Sequence, residues 1–298
     1  MIKEPTVLIL GAGASAPYGF PTGKELKEKI CKGISDERWM KAFVDDKFDL
    51  DEVKQYANQL RHSGKTSVDA FLEHRKEFIE IGKLTLALAL IPFEIKENLY
   101  ETKDIKGNWY EHLFNKMNTN FDEFEDNKLA TITFNYDRSF EHFLFTSLRN
   151  SYGKSEEKVV QSINKIPIIH LHGQLGLLPW QSQYNSRSYS DELLRKAGSG
   201  SAKHIKIISE SIDDDPEFKE AYKSLVGAKY IYFLGFGYND VNLKRLGISS
   251  YTDATIKGTS FGLGDAERKE IKMKYPNIEL ADSKYDVLDF LREEVIFR

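Results

Sequence analysis

Short, nearly continuous apolar runs recur along this chain, each giving way to a glycine or polar turn and then to a stretch with helical spacing. Parallel strands covered on both faces produce that pattern. It predicts strands at residues 7–10, 129–134, 166–171, 230–234 and 259–263, with two shorter candidates at 204–208 and 278–280. Between them, apolar positions three and four apart predict helices at 139–148, 216–225, 265–274 and 284–295. Because strand and helix alternate, the expected fold class is α/β: a Rossmann-like, open, doubly wound parallel sheet, with 7–10 and 230–234 as central strands.

One long region breaks the alternation. From about residue 23 to 124 the chain is charged and helical in period, with Val68, Phe71, Leu72, Phe78 and Ile79 on one face. It reads as a helical insertion within a single domain spanning 1–298, packed to one side of the sheet. Thr66-Ser67-Val68-Asp69 fits a capping box in which Asp69 reaches back to an unpaired amide. The apolar stretch 84–93 contains Pro92 and is too short for the ~20 residues of a membrane span, so it reads as a buried helix. Gly198-Ser199-Gly200-Ser201 reads as a short flexible loop.

Composition narrows the function. With 42 basic and 46 acidic residues the formal charge is −4, so the chain has no general attraction for nucleic acid. Cys31 is the sole cysteine, which excludes an internal disulfide and any zinc site built on several thiolates. It lies in a helical run without companion ligands, which argues against a catalytic role. The chain shows no signal-peptide pattern, and a reducing cytoplasm is the expected location.

Candidate chemistry begins at the first turn. Gly11-Ala12-Gly13-Ala14-Ser15-Ala16 follows an apolar strand and matches G-x-G-x-x-A, a turn that lets a pyrophosphate approach backbone amides at a helix start. The alternative is a tight turn without a ligand. An ordinary dehydrogenase is disfavoured, because Asp36 and Glu37 follow no second apolar strand. A phosphate-loop nucleotidase fails too: Glu25 follows Gly23-Lys24 where Ser or Thr would hold magnesium, and Tyr18 stands where the upstream glycine belongs.

Three further motifs end apolar runs, where an open parallel sheet binds its ligands. Asn135-Tyr136-Asp137 offers an amide and a carboxylate that can orient ribose hydroxyls or water, or simply cap the next helix. His170-Leu171-His172-Gly173 puts two histidines on one face of extended chain; Gly173 leaves room for a substrate and favours His172, with His170 as a core or capping residue. Gly235-Phe236-Gly237-Tyr238-Asn239-Asp240 repeats the strand-to-helix glycine turn, with Asn239 or Asp240 as helix cap.

Taken together, Gly11 to Ser15 with Gly19-Phe20-Pro21, Asn135-Tyr136-Asp137, His172-Gly173 and Gly235 to Asp240 resemble the sirtuin-like family, especially its bacterial antiphage-defence branch. Ser67-Val68-Asp69-Ala70-Phe71 resembles a motif in that branch's helical insertion. The resemblance implies an NAD-binding core in which Asn135 and His172 are catalytic. Gly11, Ala12, Gly13, Ser15, Pro21, Asp137, Gly235, Gly237 and Asn239 would hold NAD. One cysteine cannot build the four-cysteine zinc module of protein-deacetylating sirtuins, so no zinc is expected and NAD hydrolysis moves ahead of peptide deacylation.

The implied reaction cleaves the nicotinamide–ribose bond to give nicotinamide and ADP-ribose, with cyclised ADP-ribose as a second outcome. Asn135 would position the ribose or water and His172 would accept a proton. The alternatives are a protein deacylase, an ADP-ribosyltransferase, and a non-catalytic NAD or ADP-ribose sensor. Resemblance to defence proteins, which act in abortive infection by depleting NAD, implies control by homo-oligomer assembly or by a regulatory partner such as a defence-system ATPase.

Overall fold

The computed structural model describes residues 1–101, 107–192, 197–207 and 215–298. Strand β1 (Thr6–Leu10) is buried along its whole length: Val7 and Ile9 enter one core cluster, Leu8 and Leu10 the other. This two-sided burial explains why the run is continuously apolar. After β1 come α1 (Ala12–Ser15), α2 (Gly23–Gly33), α3 (Glu37–Asp45), α4 (Leu50–His62), α5 (Val68–Leu72), α6 (Ile79–Leu90) and α7 (Trp109–Lys116). They precede β2 (Leu129–Thr133), α8 (Ser139–Tyr152), α9 (Glu156–Ile163) and β3 (Ile168–His170). The rest of the chain supplies α10 (Ala197–Ala202), α11 (Pro216–Val226), β4 (Tyr230–Leu234), α12 (Asp240–Arg245), β5 (Thr255–Gly258), α13 (Asp265–Lys274), β6 (Ile278–Leu280) and α14 (Val287–Glu293).

The strands form one sheet in the order β3-β2-β1-β4-β5-β6, every neighbouring pair parallel. This is the doubly wound, Rossmann-like arrangement, and its order reverses between β1 and β4. The core around Leu8 and Leu10 contains the buried residues of α2 to α7 together with those of α8, α9 and α14. That around Val7 and Ile9 is closed by Phe218 of α11, Leu243 of α12 and Tyr275 after α13. The helical region thus packs on one side of the sheet, and its first helices abut the switch point.

Several boundaries differ from expectation for identifiable reasons. The strand expected at 259–263 lies instead at Thr255–Gly258. Its Lys257 masks the strand signal by reaching Glu294 at 3.1 Å, while the more apolar-looking Phe261 lies beyond the strand, 66% exposed. The 204–208 candidate gives only an isolated antiparallel bridge from Ile205 to Gly173, and residue 208 lies outside the described residues. Gly198 to Ser201 is helix α10 rather than a loop: a Cβ on Gly198 would stand 2.7 Å from a Leu88 methyl, so glycine permits close packing on α6. The cap before α5 is Ser67, whose Oγ accepts from Ala70 N at 3.2 Å; Asp69 does not reach back but accepts the Tyr136 hydroxyl proton. Helix α9 was not anticipated.

A buried ion cluster joins the helical region to the segment after β3. Arg138 is fully buried and donates to Glu94 at 2.8 and 2.6 Å, and Arg187 reaches the same carboxylate at 2.6 Å. Arg138 also donates to the Gly176, Leu177 and Arg187 carbonyls. Removing one partner of such a buried pair costs about 3–5 kcal/mol, because the other charge is left without compensation.

Neighbouring His142 is stacked on Tyr189, with ring centroids 4.5 Å apart and an interplanar angle of 6°. Burial, aided by Lys96 and Arg138, pulls its pKa down to about 4. The unfolded chain therefore binds a proton at this imidazole below pH ~6.5 that the folded chain refuses until about pH 4, and stability falls across that window as pH drops. His142→Phe should flatten the decline of Tm between pH 6.5 and 4, measured by thermal denaturation; an unchanged slope would refute this assignment.

Candidate active site

The C-terminal ends of β1, β2 and β4 meet at a cleft of about 400 Å³. Gly11 and Ala12 line it from the first turn, Phe134, Asn135 and Tyr136 from the second, and Phe236, Gly237 and Asn239 from the turn after β4. His172 closes it beyond β3, and Lys24, Ser67 and Asp69 approach from the helical region. A smaller recess of about 90 Å³ continues past Ala12 and Asn135 to Ser15, Pro21 and Asp137.

Asn135 is fixed by what its amide nitrogen can donate to. Nδ2 lies 3.0 Å from the Gly11 carbonyl and 3.1 Å from Ser15 Oγ. Only the NH₂ group can serve a carbonyl, so the side-chain orientation is determined. Oδ1 accepts nothing among the described residues and is the group Asn135 can offer in the cleft. The network continues inward: Ser15 Oγ donates to Asp137 Oδ2 at 2.7 Å, and Ser139 donates to Oδ1 through its hydroxyl and its amide. Both oxygens of the buried Asp137 are engaged, and burial holds its pKa above the usual carboxylate range against those hydrogen bonds. Asp137 thereby also satisfies the first amide of α8, although the N-cap position itself is Arg138.

The two histidines have different surroundings. His170 is tied at both nitrogens, Nδ1 to the Asn135 carbonyl at 3.0 Å and Nε2 to Glu141 at 3.1 Å. Burial is the largest influence on it and lowers its pKa, but Glu141, Asn135 and Asp137 together leave it raised. His172 is buried with Nε2 unpartnered among the described residues, beside Phe134 at 5.3 Å between ring centroids. Burial, then the Arg245 charge, pulls its pKa down to about 3, so it is neutral at ordinary pH. Asn242 Oδ1, also lining the cleft, is likewise buried and unpartnered among the described residues.

The glycines do something the sequence reading did not separate. Gly11 N donates to the Leu234 carbonyl at 3.0 Å and Gly13 N to the Gly235 carbonyl at 2.9 Å, so neither amide is free for a phosphate. A Cβ on Gly13 would stand 2.9 Å from Gly235 Cα, and one on Gly235, whose φ is +56°, would stand 2.0 Å from Ala14 N. Gly13 and Gly235 lock the two turns together and do not line the cleft. Gly173, expected to leave room for a substrate, is instead pressed against the His204 carbonyl, 1.9 Å from where its Cβ would be. Gly237 is different: nothing lies within 4 Å of its Cβ position. Among the described residues, the amides of Phe236, Gly237, Tyr238 and Asn239 have no acceptor. Asn239 caps α12, accepting from Val241 and Asn242 amides at 2.9 and 3.3 Å.

Sequence reasoning did not single out Tyr136, Phe134, Phe236 or Asn242 as lining residues, although the first three sit within or beside the motifs. Asp69 appeared as a cap and as part of the Ser67 to Phe71 motif, without a role in the cleft. In the cleft it is a half-buried carboxyl whose pKa is raised by desolvation. Asn242 carried no signal, since an asparagine one turn into a helix has no distinctive spacing. Cys31 lies outside the cleft, and among the described residues no group of three or more His, Cys, Asp or Glu side chains is arranged to hold a metal ion. No described helix is long and apolar enough to cross a membrane.

A doubly wound parallel sheet with a cleft and glycine turns at its switch point is the arrangement in which open α/β proteins commonly bind their ligands. Within such folds, residues 129–252, less than half of the chain, match the family model of the SIR2-like domain, and this part of the chain is similar to that domain. The match includes Asn135, Asp137, His172 and the Gly235 to Asp240 turn, and leaves the first glycine turn outside it. No curated protein matches the chain.

Proposed function

We propose that the protein is an NAD⁺ glycohydrolase that cleaves the nicotinamide–ribose bond, with Asn135 and His172 as its catalytic residues. The observation that carries this reading is the convergence of two unengaged acceptors, Asn135 Oδ1 and the neutral His172 imidazole, on one cleft beside four free backbone amides. Those amides, at Phe236 to Asn239, suit the pyrophosphate; Gly11, Ala12, Ser15 and Pro21 shape the walls. Gly13, Asp137 and Gly235 act through others, by fixing the turns and the Ser15–Asn135 pair.

Cleavage returns electrons to the pyridinium nitrogen, so nicotinamide leaves neutral and needs no general acid. The site must stabilise an oxocarbenium-like ribose and deliver water to it. Asn135 Oδ1 accepts a hydrogen bond from that water and aims its lone pair, while His172 takes the proton. His172 has low proton affinity, yet it suffices: water bonding to an oxocarbenium carbon becomes strongly acidic, and a neutral imidazole is then an adequate acceptor. In a cell such an enzyme would need restraint. Antiphage defence by NAD depletion, under control of self-assembly or a partner such as a defence-system ATPase, fits that need.

Incubating the purified protein with NAD, with and without acylated peptide, tests the reading. Peptide-independent release of nicotinamide and ADP-ribose is expected. Release that requires the acyl peptide would make it a deacylase, and tight binding without turnover a sensor.

A further inference from the structure

Beside the cleft lies a second cavity of about 660 Å³, between α2 and the end of α4. Lys24, Lys27 and Cys31 project into it at the three- and four-residue spacing of one helix face, with Glu28 and Lys32 adjoining. Arg61 and Lys65 face them from α4 and the turn after it. Five cations thus surround one space with a single carboxylate, in a chain whose net charge is −4. Among the described residues none of the five is within ion-pair distance of a carboxylate, Glu28 included. Lys27 Nζ and Arg61 Nη2 donate instead to the Lys65 and Cys31 carbonyls, at 2.7 and 2.8 Å, which positions the head groups and leaves their charge uncompensated.

Helix ends do not account for this concentration. Lys32 and Arg61 sit in last turns, where the helix dipole favours a cation, but Lys24 is in the first turn of α2, where it disfavours one. Cys31 forms an apolar floor: it is buried, and burial holds its thiol above the ordinary pKa, so it adds no opposing charge.

We infer that this cavity binds a small phosphorylated ligand, a phosphate chain or a nucleotide carrying one, at a site separate from the cleft. Its volume lies within the range of small-molecule sites. Lys24 and Thr66 line both spaces, so an occupant here borders the cleft directly. The inference is independent of the NAD reading, because its test reads binding alone.

The test is calorimetric titration of the full chain with tripolyphosphate and with ATP at 0.15 M salt, where diffuse attraction is screened beyond ~8 Å. Saturable binding is expected. The Lys32→Glu/Lys65→Glu variant, which removes no side-chain hydrogen bond, should lose at least tenfold in affinity; Lys32→Gln should lose less. Lys269→Glu/Lys272→Glu on distant α13 should bind like the wild type. Tighter binding of ATP than of tripolyphosphate assigns the site to nucleotides, and equal binding assigns it to the phosphate chain. The inference fails if the wild type shows no saturable binding, or if the α13 variant weakens as much as the Lys32/Lys65 pair.

Discussion

His172→Ala is expected to lower NAD turnover by roughly 10²–10⁴-fold, the span typical of general acid–base catalysis, while leaving NAD binding largely intact. The substitution removes the imidazole whose Nε2 faces no protein partner, so it breaks no described hydrogen bond of that atom. Asn135→Ala is a less clean probe, because Nδ2 also secures Gly11 and Ser15. His170→Gln serves as the control: it disturbs a residue tied to Glu141 and should lower Tm more than turnover per folded molecule. With His172 neutral down to about pH 3, kcat/KM should show no imidazole-type loss between pH 8 and 5. Wild-type turnover in folded His172→Ala, measured by nicotinamide release, would falsify the assignment.

Gly235→Ala should destabilise the fold by about 2–6 kcal/mol, summing the cost of a non-glycine residue in the left-handed region with that of overpacking. The new methyl would meet Ala14 N and Gly13 C at 2.0 and 2.2 Å, both backbone atoms that cannot turn aside. Gly237→Ala, in the same turn but with open space at its Cβ, should keep a near wild-type Tm. Comparing the two by thermal denaturation separates the lock between the turns from the surface that faces a ligand. Equal losses would show that the turn is needed as a whole.

The sheet was legible because β1 and β4 are buried on both faces and nearly apolar throughout, and because Thr131 and Thr133 only alternate with the apolar residues of β2. β5 was not, because Lys257 reaches across to carboxylates that are distant in sequence. Helix α10 was hidden by its glycines, of which Gly198 is required by the contact with α6. At the cleft, the motifs marked where the turns lie but not which atoms within them are engaged. Only the fold shows that Gly11 and Gly13 amides are held by β4 and that Asp137 serves Ser15. The basic cavity draws on residues 24 to 32 and 61 to 66, two segments that read separately as ordinary charged helix.

The central position of β1 has a consequence for how the protein is made. Its two hydrogen-bonding edges belong to β2 and β4, whose partners for Leu10 are Thr133 and Leu234. On a ribosome adding ~5–20 residues per second, roughly ten to fifty seconds separate synthesis of Leu10 from that of Leu234. Throughout that interval an apolar strand that comes first in the chain has an unpaired edge, the kind of surface that pairs with other chains. The helices between β1 and β2 emerge during this wait, and they can cover the Leu8 and Leu10 face before the sheet exists. The long region ahead of β2 thereby shelters the nascent chain as well as walling the finished cleft.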